Sequence, residues 1–410
     1  MATGKLLKKN ANVQGLLNDK DALRELVQKE IQKVINGEFE EHIARGRYER
    51  KEGPTTHRNG FKPRTLSTRV GKIYLRIPQA RDGSFSPSVY EKYQRVEKAL
   101  FLTLVETYRL GVATRKIKGV TEELCGDIIP RSTISAWCGS LDDELNEFRE
   151  RPLDNEYPYV VVDAQVKRVR VSRKVVSESV LVAQGISSTG YREVIGVAVG
   201  NSESHQTWKD FFLSLHKRGL KGVNTIVSDD HAGLVSAALM CFQGSQWQRC
   251  QFHFGRNARS HLPRKMHSEM HRRLREIWDS STRETVDYLI KKLLDDYSHR
   301  AKFCDWLEEN IEDCLAVLEL PPEHRRRLRT TNAVERMHEE IKRRTQPIRI
   351  FPNRSSVLRM VTALWQDIHE KWLTGRKYLN MDVINEWERE RELVSESETT
   401  NGVNGNSQKM

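Results

Sequence analysis

The sequence has no long apolar run, and this absence excludes a membrane-spanning helix, which needs about 20 consecutive apolar residues. The stretch Met1–Asn12 contains lysines but no apolar core, so we expect no secretory signal. Cysteine is also scarce: six cysteines are scattered along 410 residues, a usage typical of reduced thiols rather than of a disulfide framework. We therefore expect a globular, cytoplasmic protein with no membrane partner.

Acidic residues are too few to balance the basic ones. Lysine and arginine number 68 against 56 aspartates and glutamates, so the formal net charge is +12. An excess of this size indicates a polyanionic partner, and a phosphate backbone is the commonest one. Binding of that kind weakens steeply with added salt. A generally basic, soluble surface is the alternative.

The first 150 residues predict helices around one β-hairpin. A helix capped by Asp19 or Asp21 runs to about Ile35, where Gly37 breaks it, and a second charged helix reaches about Arg45. Two β-rich runs meet at Gly71 and predict the hairpin. Further on, a helix over 93–110, a helix over 114–124 and a helix capped by Ser132 have the layout of a helix-turn-helix, which many helical hairpins share. The DNA-contact candidates in this region are Arg64, Arg69, Arg76, Arg115, Lys116, Ser132 and Thr133.

Beyond a short linker, the pattern changes to β-rich runs that alternate with helices. Three strands, a helix, a strand, a helix, a strand over 247–252 and a helix follow one another, an order typical of an RNase-H-like α/β fold. From 254 to 329 the chain is strongly charged and predicts helices near 265–280, 282–297 and 302–318. The last residues of the chain are polar. We predict N-terminal helices (1–50), a basic loop and hairpin (51–88), a helix-turn-helix-like region (89–150), a first segment of the core (155–253), an all-α insertion (254–329), a second core segment with C-terminal helices (330–394) and a disordered tail (395–410).

Three carboxylates stand where a metal site would need them. Asp163 ends a buried β run, where an unpaired carboxylate is costly. If Asp163 were the only such carboxylate, a role in a turn or as a helix cap would explain its position. Asp229 ends a second strand, and the carboxyl ends of strands meet at one edge of an open sheet. Glu335 opens a later helix that could pack there. Carboxylate oxygens suit Mg²⁺, so we predict two Mg²⁺ ions, replaceable by Mn²⁺, that support phosphoryl transfer.

A second basic group surrounds Glu335. A run of charge is usually a solvated face, but beside a predicted metal carboxylate the better interpretation is a cradle for a DNA backbone. Its members are Arg325, Arg326, Arg327, Arg329, Arg336, Lys342, Arg343, Arg344 and Arg349. The DNA-contact candidates among them are Arg329, Arg336, Lys342, Arg343 and Arg344.

Seven short motifs occur in a fixed order along about residues 13–375. They are Arg58–Gly71, Pro78–Phe85, Tyr108–Arg115, Val162–Ala164, Val227–Leu234, Gln248–Asn257 and Thr330–Arg336. In these motifs the sequence resembles bacterial insertion-sequence transposases of the Mutator type, members of the DDE transposase superfamily. The resemblance implies that Asp163, Asp229 and Glu335 form a catalytic triad on an RNase-H-like core. It also implies that the helices between Asp229 and Glu335 form an insertion domain, and the gap is too long for a simple connection.

The function implied by the resemblance is DNA transposition. Such an enzyme binds the terminal inverted repeats of an insertion sequence, cuts at the element end to free a 3′-hydroxyl, and transfers that hydroxyl to a phosphodiester of double-stranded target DNA. Joining two ends implies a homodimer or a larger assembly. Two alternatives stay open: a DNA-binding regulator without activity, and an RNase-H-like nuclease without strand transfer.

Two of the motifs allow more than one interpretation. Where the family usually has Asp-Gly-His, this chain has Asp229-Asp230-His231, so Asp230 is a rival to Asp229. The pair Cys250-x-x-His253 is similar to the family's Cys-x-x-His signature and is half of a zinc site. The alternative is a pair that packs and hydrogen-bonds where the last strand meets the insertion. His231 and His253 are also candidates to assist near the scissile phosphate.

Overall fold

The structure is a computed structural model that describes residues 19–43, 56–89, 96–125, 129–201, 203–384, 386–387 and 389. The chain divides into two compact units, Met1–Leu141 and Asp142–Met410. Three predictions lie outside the described residues. They are the loosely structured residues 1–18, the end of the charged helix at Arg45 and the disordered tail at 395–410. Within the described ranges, no helix has both the length and the apolar content that crossing a membrane requires.

In its described residues, the first unit contains one hairpin and four helices. Its elements are α1 (Lys20–Ile43), β1 (Arg58–Thr68), β2 (Gly71–Ala80), α2 (Lys98–Arg109), α3 (Thr114–Cys125) and α4 (Arg131–Gly139). The hairpin is confirmed: β1 and β2 pair antiparallel down to Thr68 and Gly71. Ile35 of α1 packs with Ile73 of β2 in a small core.

Two helix boundaries in this unit differ from the prediction. α1 does not end at Gly37 but continues to Ile43, since Phe39 and Ile43 are buried in a cluster with Ala80. That burial outweighs the roughly 1 kcal/mol that a mid-helix glycine costs. α4 begins at Arg131 with Pro130 as its N-cap residue, so Ser132 lies in the first turn and does not cap the helix.

The second unit is built on a mixed five-stranded sheet. Its elements are α5 (Asp142–Glu150), β3 (Tyr159–Val171), β4 (Lys174–Ile186), β5 (Arg192–Gly200), α6 (His205–Lys217), β6 (Thr225–Ser228), α7 (Ala232–Cys241), β7 (Gln246–Arg249), α8 (Gln251–Ala258), α9 (His267–Trp278), α10 (Arg283–Asp296), α11 (Ala301–Asn310), α12 (Pro322–Leu328), α13 (Asn332–Thr345) and α14 (Arg354–Leu373). The strand order is β5-β4-β3-β6-β7, antiparallel among the first three and parallel from β3 to β7. α5, which we had placed with the helix-turn-helix-like region, belongs to this unit.

The two faces of the sheet pack against different helices. Val160 and Val162 of β3 join Trp208 and Phe212 of α6 in one core cluster, which also takes in α7. Because side chains alternate along a strand, Asp163 points to the other face. There His338 of α13 contacts Asp163, and α14 packs on β5 and β3.

The helices between β7 and α13 have a hydrophobic core of their own. It includes Phe254, Met270, Leu274, Phe303 and Leu307, all of them fully or almost fully buried. The predicted helices near 265–280 and 282–297 are present as α9 and α10. The third ends at Asn310, earlier than predicted, and two short 3₁₀ turns follow it up to Glu319.

A buried histidine of α14 gives a testable pH dependence. His369 is 8% exposed, and its Nδ1 accepts a hydrogen bond from the Val194 backbone N–H at 3.2 Å, which requires the neutral ring. Burial, and after it the charge of Arg151, lowers the pKa of His369 to about 4. Its contribution to stability is therefore complete above the pKa of the unfolded chain, about 6.5, and is lost as the pH falls towards 4.

His369→Asn keeps an acceptor but cannot titrate. Between about pH 7.5 and about pH 5, wild type should lose about 2 kcal/mol more unfolding free energy than the variant. Denaturant unfolding followed by tryptophan fluorescence measures the difference. Equal losses in the two proteins would contradict the assignment of this pH dependence to His369.

Candidate active site

Asp163 and Asp229 are brought together by the parallel pairing of β3 with β6. Val161 pairs with Val227, and each aspartate follows its valine by two residues, so both carboxylates continue the same row on the same face of the sheet. We predicted that Asp163 ends its strand, and this was wrong. β3 runs on to Val171 because it stays paired with β4; only its pairing with β6 stops, so Asp163 lies just beyond the end of the parallel ladder.

The two carboxylates repel each other in a poorly solvated place. Asp163 is 8% exposed; its Oδ1 accepts from the Ala164 backbone N–H at 2.8 Å, and its Oδ2 lies 3.1 Å from Nδ1 of His338. Burial raises the pKa of the Asp229 carboxyl, the charge of Asp163 raises it further, and His253 opposes the shift. A divalent cation between two such carboxylates would relieve the repulsion, so this donor set fits Mg²⁺.

Glu335 reaches this region through His253. It lies in the first turn of α13, and its Oε1 is 2.9 Å from Nε2 of His253. Burial alone would lower the pKa of His253, but hydrogen bonds to Cys250 and Glu335 outweigh burial and raise it to about 10. His253 thus contacts the Glu335 carboxylate, and its charge also acts on Asp229.

Three polar contacts fix α13 on β3. They come from Asp163, Gln165 and Lys167, which point to one face because they alternate along the strand. Asp163 meets the His338 ring, Gln165 Nε2 donates to the His338 carbonyl at 3.0 Å, and Lys167 Nζ donates to Oγ1 of Thr345 at 2.7 Å. The orientation of the helix that carries Glu335 is thereby set along its whole length.

Cys250 and His253 form a hydrogen-bonded junction at the start of a helix. β7 ends at Arg249, earlier than predicted, and Cys250 is the N-cap residue of α8. Both the backbone N–H and the hydroxyl of Thr331 donate to Cys250 Sγ at 3.3 Å. Among the residues that the structure describes, no three or more His, Cys, Asp or Glu side chains cluster closely enough to hold a metal ion. Glu335 thus contacts His253 and does not complete a three-carboxylate cage with the two aspartates.

Asp230 points away from Asp229 and has a different role. Its Oδ2 is 2.7 Å from the guanidinium of Arg249, which is 1% exposed and also donates to Asn310 at 2.7 Å. This bridge joins the end of β6 to the helices that follow β7, so Asp230 is engaged in an ion pair.

Glu203 is a neighbour of the site that sequence reasoning missed. It raises the pKa of Asp229 as one of the weaker contributors, and its Oε2 is 3.8 Å from Nε2 of His231. A Cβ on Gly233 would lie 2.6 Å from the Glu203 carbonyl oxygen, so the glycine allows this close approach. Glu203 precedes a helix in an ordinary loop, and only the fold brings it to the sheet edge.

The DNA-contact candidates predicted around Glu335 divide into residues that form an ion pair and residues that form none in the described part of the chain. Arg329 is paired with Asp279 at 2.7 Å, and Arg343 and Arg344 are both paired with Glu340 at 2.8 Å. The remaining two, Arg336 and Lys342, are exposed.

The DNA-contact candidates of the first unit also differ in their contacts and in their exposure. Arg69 pairs with Glu97 at 2.8 Å, and the guanidinium of Arg76 lies 4.9 Å from the centre of the Phe61 ring. Lys116 and Ser132 are exposed, Thr133 is half-buried and Arg64 is half-buried in β1. The side chain of Arg115 lies outside the described residues.

A mixed α/β unit with paired aspartates beside the parallel strands is the setting expected for an enzyme of phosphoryl transfer. The family model described as "Transposase, Mutator family" matches residues 2–375, which is nearly the whole chain. The chain belongs to the Mutator family of transposases, as its motifs indicated.

Individual relatives are described as transposases for insertion sequence elements. The chain is 43% identical to the transposase for insertion sequence element ISRM5 of Rhizobium meliloti (strain 1021), an alignment that covers 90% of this chain and 94% of that protein. It is 38% identical to the transposase for element IS256 in transposon Tn4001 of Staphylococcus aureus, over 85% of this chain and 90% of that protein. It is 33% identical to the transposase for element IS1081 of Mycobacterium tuberculosis (strain ATCC 25618 / H37Rv), over 89% of this chain and 88% of that protein.

Replacing Asp229 and replacing Asp230 should change stability in opposite directions. Asp229→Asn removes one of two repelling carboxylates, so the variant should unfold at a higher temperature than wild type in chelator. Asp230→Ala leaves the buried guanidinium of Arg249 without its carboxylate and should lower the free energy of unfolding by about 2 kcal/mol. The unfolding temperatures of wild type and the two variants show whether each substitution raises or lowers stability. Shifts in the same direction would contradict these roles of the two aspartates.

Proposed function

We propose that this chain is a DNA transposase that binds the terminal inverted repeats of an insertion sequence and catalyses metal-dependent strand cleavage and strand transfer. The observation that carries the proposal is the register of β3 and β6, which sets Asp163 beside Asp229. The helix that bears Glu335 is fixed on the same face of the sheet, and Glu335 joins the site through His253.

The proposal includes an RNase-H-like core with an all-α insertion. Its support is the element order, in which β3, β4 and β5 form an antiparallel set and β6 and β7 continue the sheet in parallel after helices. The helices between β7 and α13 bury a separate cluster around Phe254 and Phe303, as an inserted domain would.

Asp163, Asp229 and Glu335 are proposed to hold two Mg²⁺ ions, with Mn²⁺ able to substitute. When bound, the metal supplies charge neutralisation for the attacking and leaving oxygens. The protein supplies position: the β3–β6 register sets two carboxylates side by side, and the contacts between β3 and α13 hold the helix that bears Glu335. The ring of His253 lies beside this centre, with its Nε2 at 2.9 Å from Glu335.

The reaction would proceed in two displacements at one site. Water attacks the phosphodiester at the element end, which frees a 3′-hydroxyl, and that hydroxyl then attacks a target phosphodiester and expels a second 3′-oxygen. Both steps use the same carboxylates because the reacting groups are alike. Two ends must be held together, so we propose at least a dimer on double-stranded DNA, in the cytoplasm, with the first unit reading the repeats.

The decisive test is Asp163→Asn on duplexes that carry the ends of the element, with Mg²⁺. The substitution keeps size and the acceptor for Ala164, so folding should be preserved while cleavage falls by at least about 100-fold. The matched control is Asp210→Asn, an exposed aspartate of α6, which should cut like wild type.

A precut end and a labelled target, followed on a denaturing gel, separate transposition from simple nuclease activity. Joined product with wild type and none with Asp163→Asn is the expected result. Cutting by Asp163→Asn at the wild-type rate would refute the metal-site assignment, and cutting without joining by wild type would favour a nuclease.

A further inference from the structure

A basic cleft of about 920 Å³ opens beside Glu335. Its cations come from three parts of the chain: Arg326 and Arg327 from α12, Arg336 from α13, and Arg376 and Lys377 from the segment after α14. Apolar ligands prefer pockets lined mostly by apolar side chains, whereas this lining is strongly charged. The cleft therefore has the composition of a site for an anion.

The cationic side chains of the cleft can contact a bound anion. Within the described part of the chain, none of the five forms an ion pair with a carboxylate, although Glu335 and Glu339 also line the cleft. Glu335 is turned to His253. This differs from Arg329, Arg343 and Arg344, which are paired inside the protein.

An aromatic stack holds one wall of the cleft in place. The guanidinium of Arg192 lies 4.4 Å from the centre of the Trp372 ring and 4.3 Å from that of Tyr378. Arg327 lies 4.8 Å from the centre of the Tyr378 ring. Stacking uses the face of a guanidinium and leaves its N–H edge free, so Arg327 is positioned without using the donors that would bind an oxyanion.

The segment 374–380, which we call the strap, is docked by its backbone. The N–H groups of Tyr378 and Leu379 donate to the carbonyl of Gly190 at 2.8 and 3.2 Å. His324 Nε2 contacts the Asn380 carbonyl at 2.7 Å, and the other ring nitrogen of His324 contacts the Tyr159 hydroxyl at 2.9 Å. Gly190 permits the docking, since a Cβ there would lie 2.2 Å from the Leu379 carbonyl oxygen.

The start of α13 adds donors on the opposite side. Thr331, its N-cap residue, gives no side-chain hydrogen bond to the first turn because its hydroxyl donates to Cys250. The first N–H groups of a helix lack intrahelical partners and favour anions. Thr330 and Asn332 line the cleft at this point.

We propose that the cleft binds the phosphodiester backbone of a DNA strand that runs past Glu335, and that the strap is the wall which makes this subsite. The proposal rests on the transposase function proposed above. The shared chemistry is a row of phosphates, and the strand comes either from the element end or from the target. Burial lowers the pKa of Arg192 most, and the positive charges of Arg336 and Arg327 lower it further.

The test uses the full chain with Arg376→Gln and Lys377→Gln combined. Its control is Lys291→Gln with Lys292→Gln, two exposed lysines of α10, so the loss of charge is equal. Affinity for a random-sequence duplex, measured by fluorescence anisotropy without metal over a salt series, should show a slope of log K against log salt that is smaller by about 2 in the cleft variant. The control should keep the wild-type slope. An unchanged slope in the cleft variant, or an equal fall in the control, would overturn the proposal.

Gly190→Ala tests the strap without changing charge. It should displace residues 378–380 and weaken DNA binding in the same direction, provided that circular dichroism and thermal unfolding show a folded protein; if it does not fold, the charge variant alone decides. A folded Gly190→Ala variant with wild-type affinity would overturn the role of the strap.

Two reactions identify the strand. Weaker binding of the element end by the double variant assigns the cleft to the end, and wild-type end binding with less joining to target assigns it to the target. Wild-type behaviour in both reactions would sink the proposal. Because Asp163→Asn is assayed in parallel, loss of cutting in that variant shows that the transposase function stands even if the cleft proposal fails.

Discussion

The feature on which the site depends is a pair of carboxylates held side by side where two parallel strands stop pairing. Asp163 and Asp229 would each be expensive to bury alone. Burial raises the pKa of the Asp229 carboxyl most, and the neighbouring charge of Asp163 raises it further. Three histidine rings offset some of this cost: His338 contacts Asp163, and His253 and His231 oppose the shift of the Asp229 pKa. Two carboxylates that repel each other in a buried place lower the stability of the fold, which apolar side chains there would not do.

Fixing the third carboxylate requires polar contacts in a buried place. Lys167 is an example: burial, and then the charge of Lys342, lowers its pKa to about 8, yet its Nζ is held by Thr345. An apolar residue would pack against α13 at less cost, but it would not fix the rotation of the helix. Hydrogen bonds at Gln165 and Lys167 are directional, so they set the rotation of the helix that carries Glu335.

Several features of this arrangement could be predicted from the sequence, because they depend on local pattern. The hairpin at Gly71 follows from β-rich runs around a turn, and α13 and α14 follow from helical periodicity. Other features depend on contacts between distant segments. Nothing local shows that β3 outlasts its pairing with β6, that Cys250 caps a helix, or that α1 passes Gly37 because Phe39 is buried.

The predicted catalytic roles came from the family motifs, and the structure adds the contacts that each of these residues makes. Arg343 and Arg344 show the limit of composition as a guide: they belong to a basic run, yet Glu340, one turn earlier on the same helix, pairs with both. Arg336 lies in the same run and remains exposed towards the cleft. Charge content predicted a polyanion site near Glu335, whereas side-chain pairing decides which cations can contribute to it.

The long helical segment between β7 and α13 does not loosen the position of Glu335, because the chain leaves and returns at one point. The Gln251 backbone N–H donates to the Arg329 carbonyl at 3.0 Å, and Thr331 donates twice to Cys250. The segment is tied again further along, where Gln248 and Gln251 both donate to the Cys314 carbonyl. These bonds close the segment at its base, beside the start of α13. The number of residues between Asp229 and Glu335 is therefore no measure of how far apart they lie in the fold. His253 lies at this closure, where it contacts Glu335 and its charge acts on Asp229.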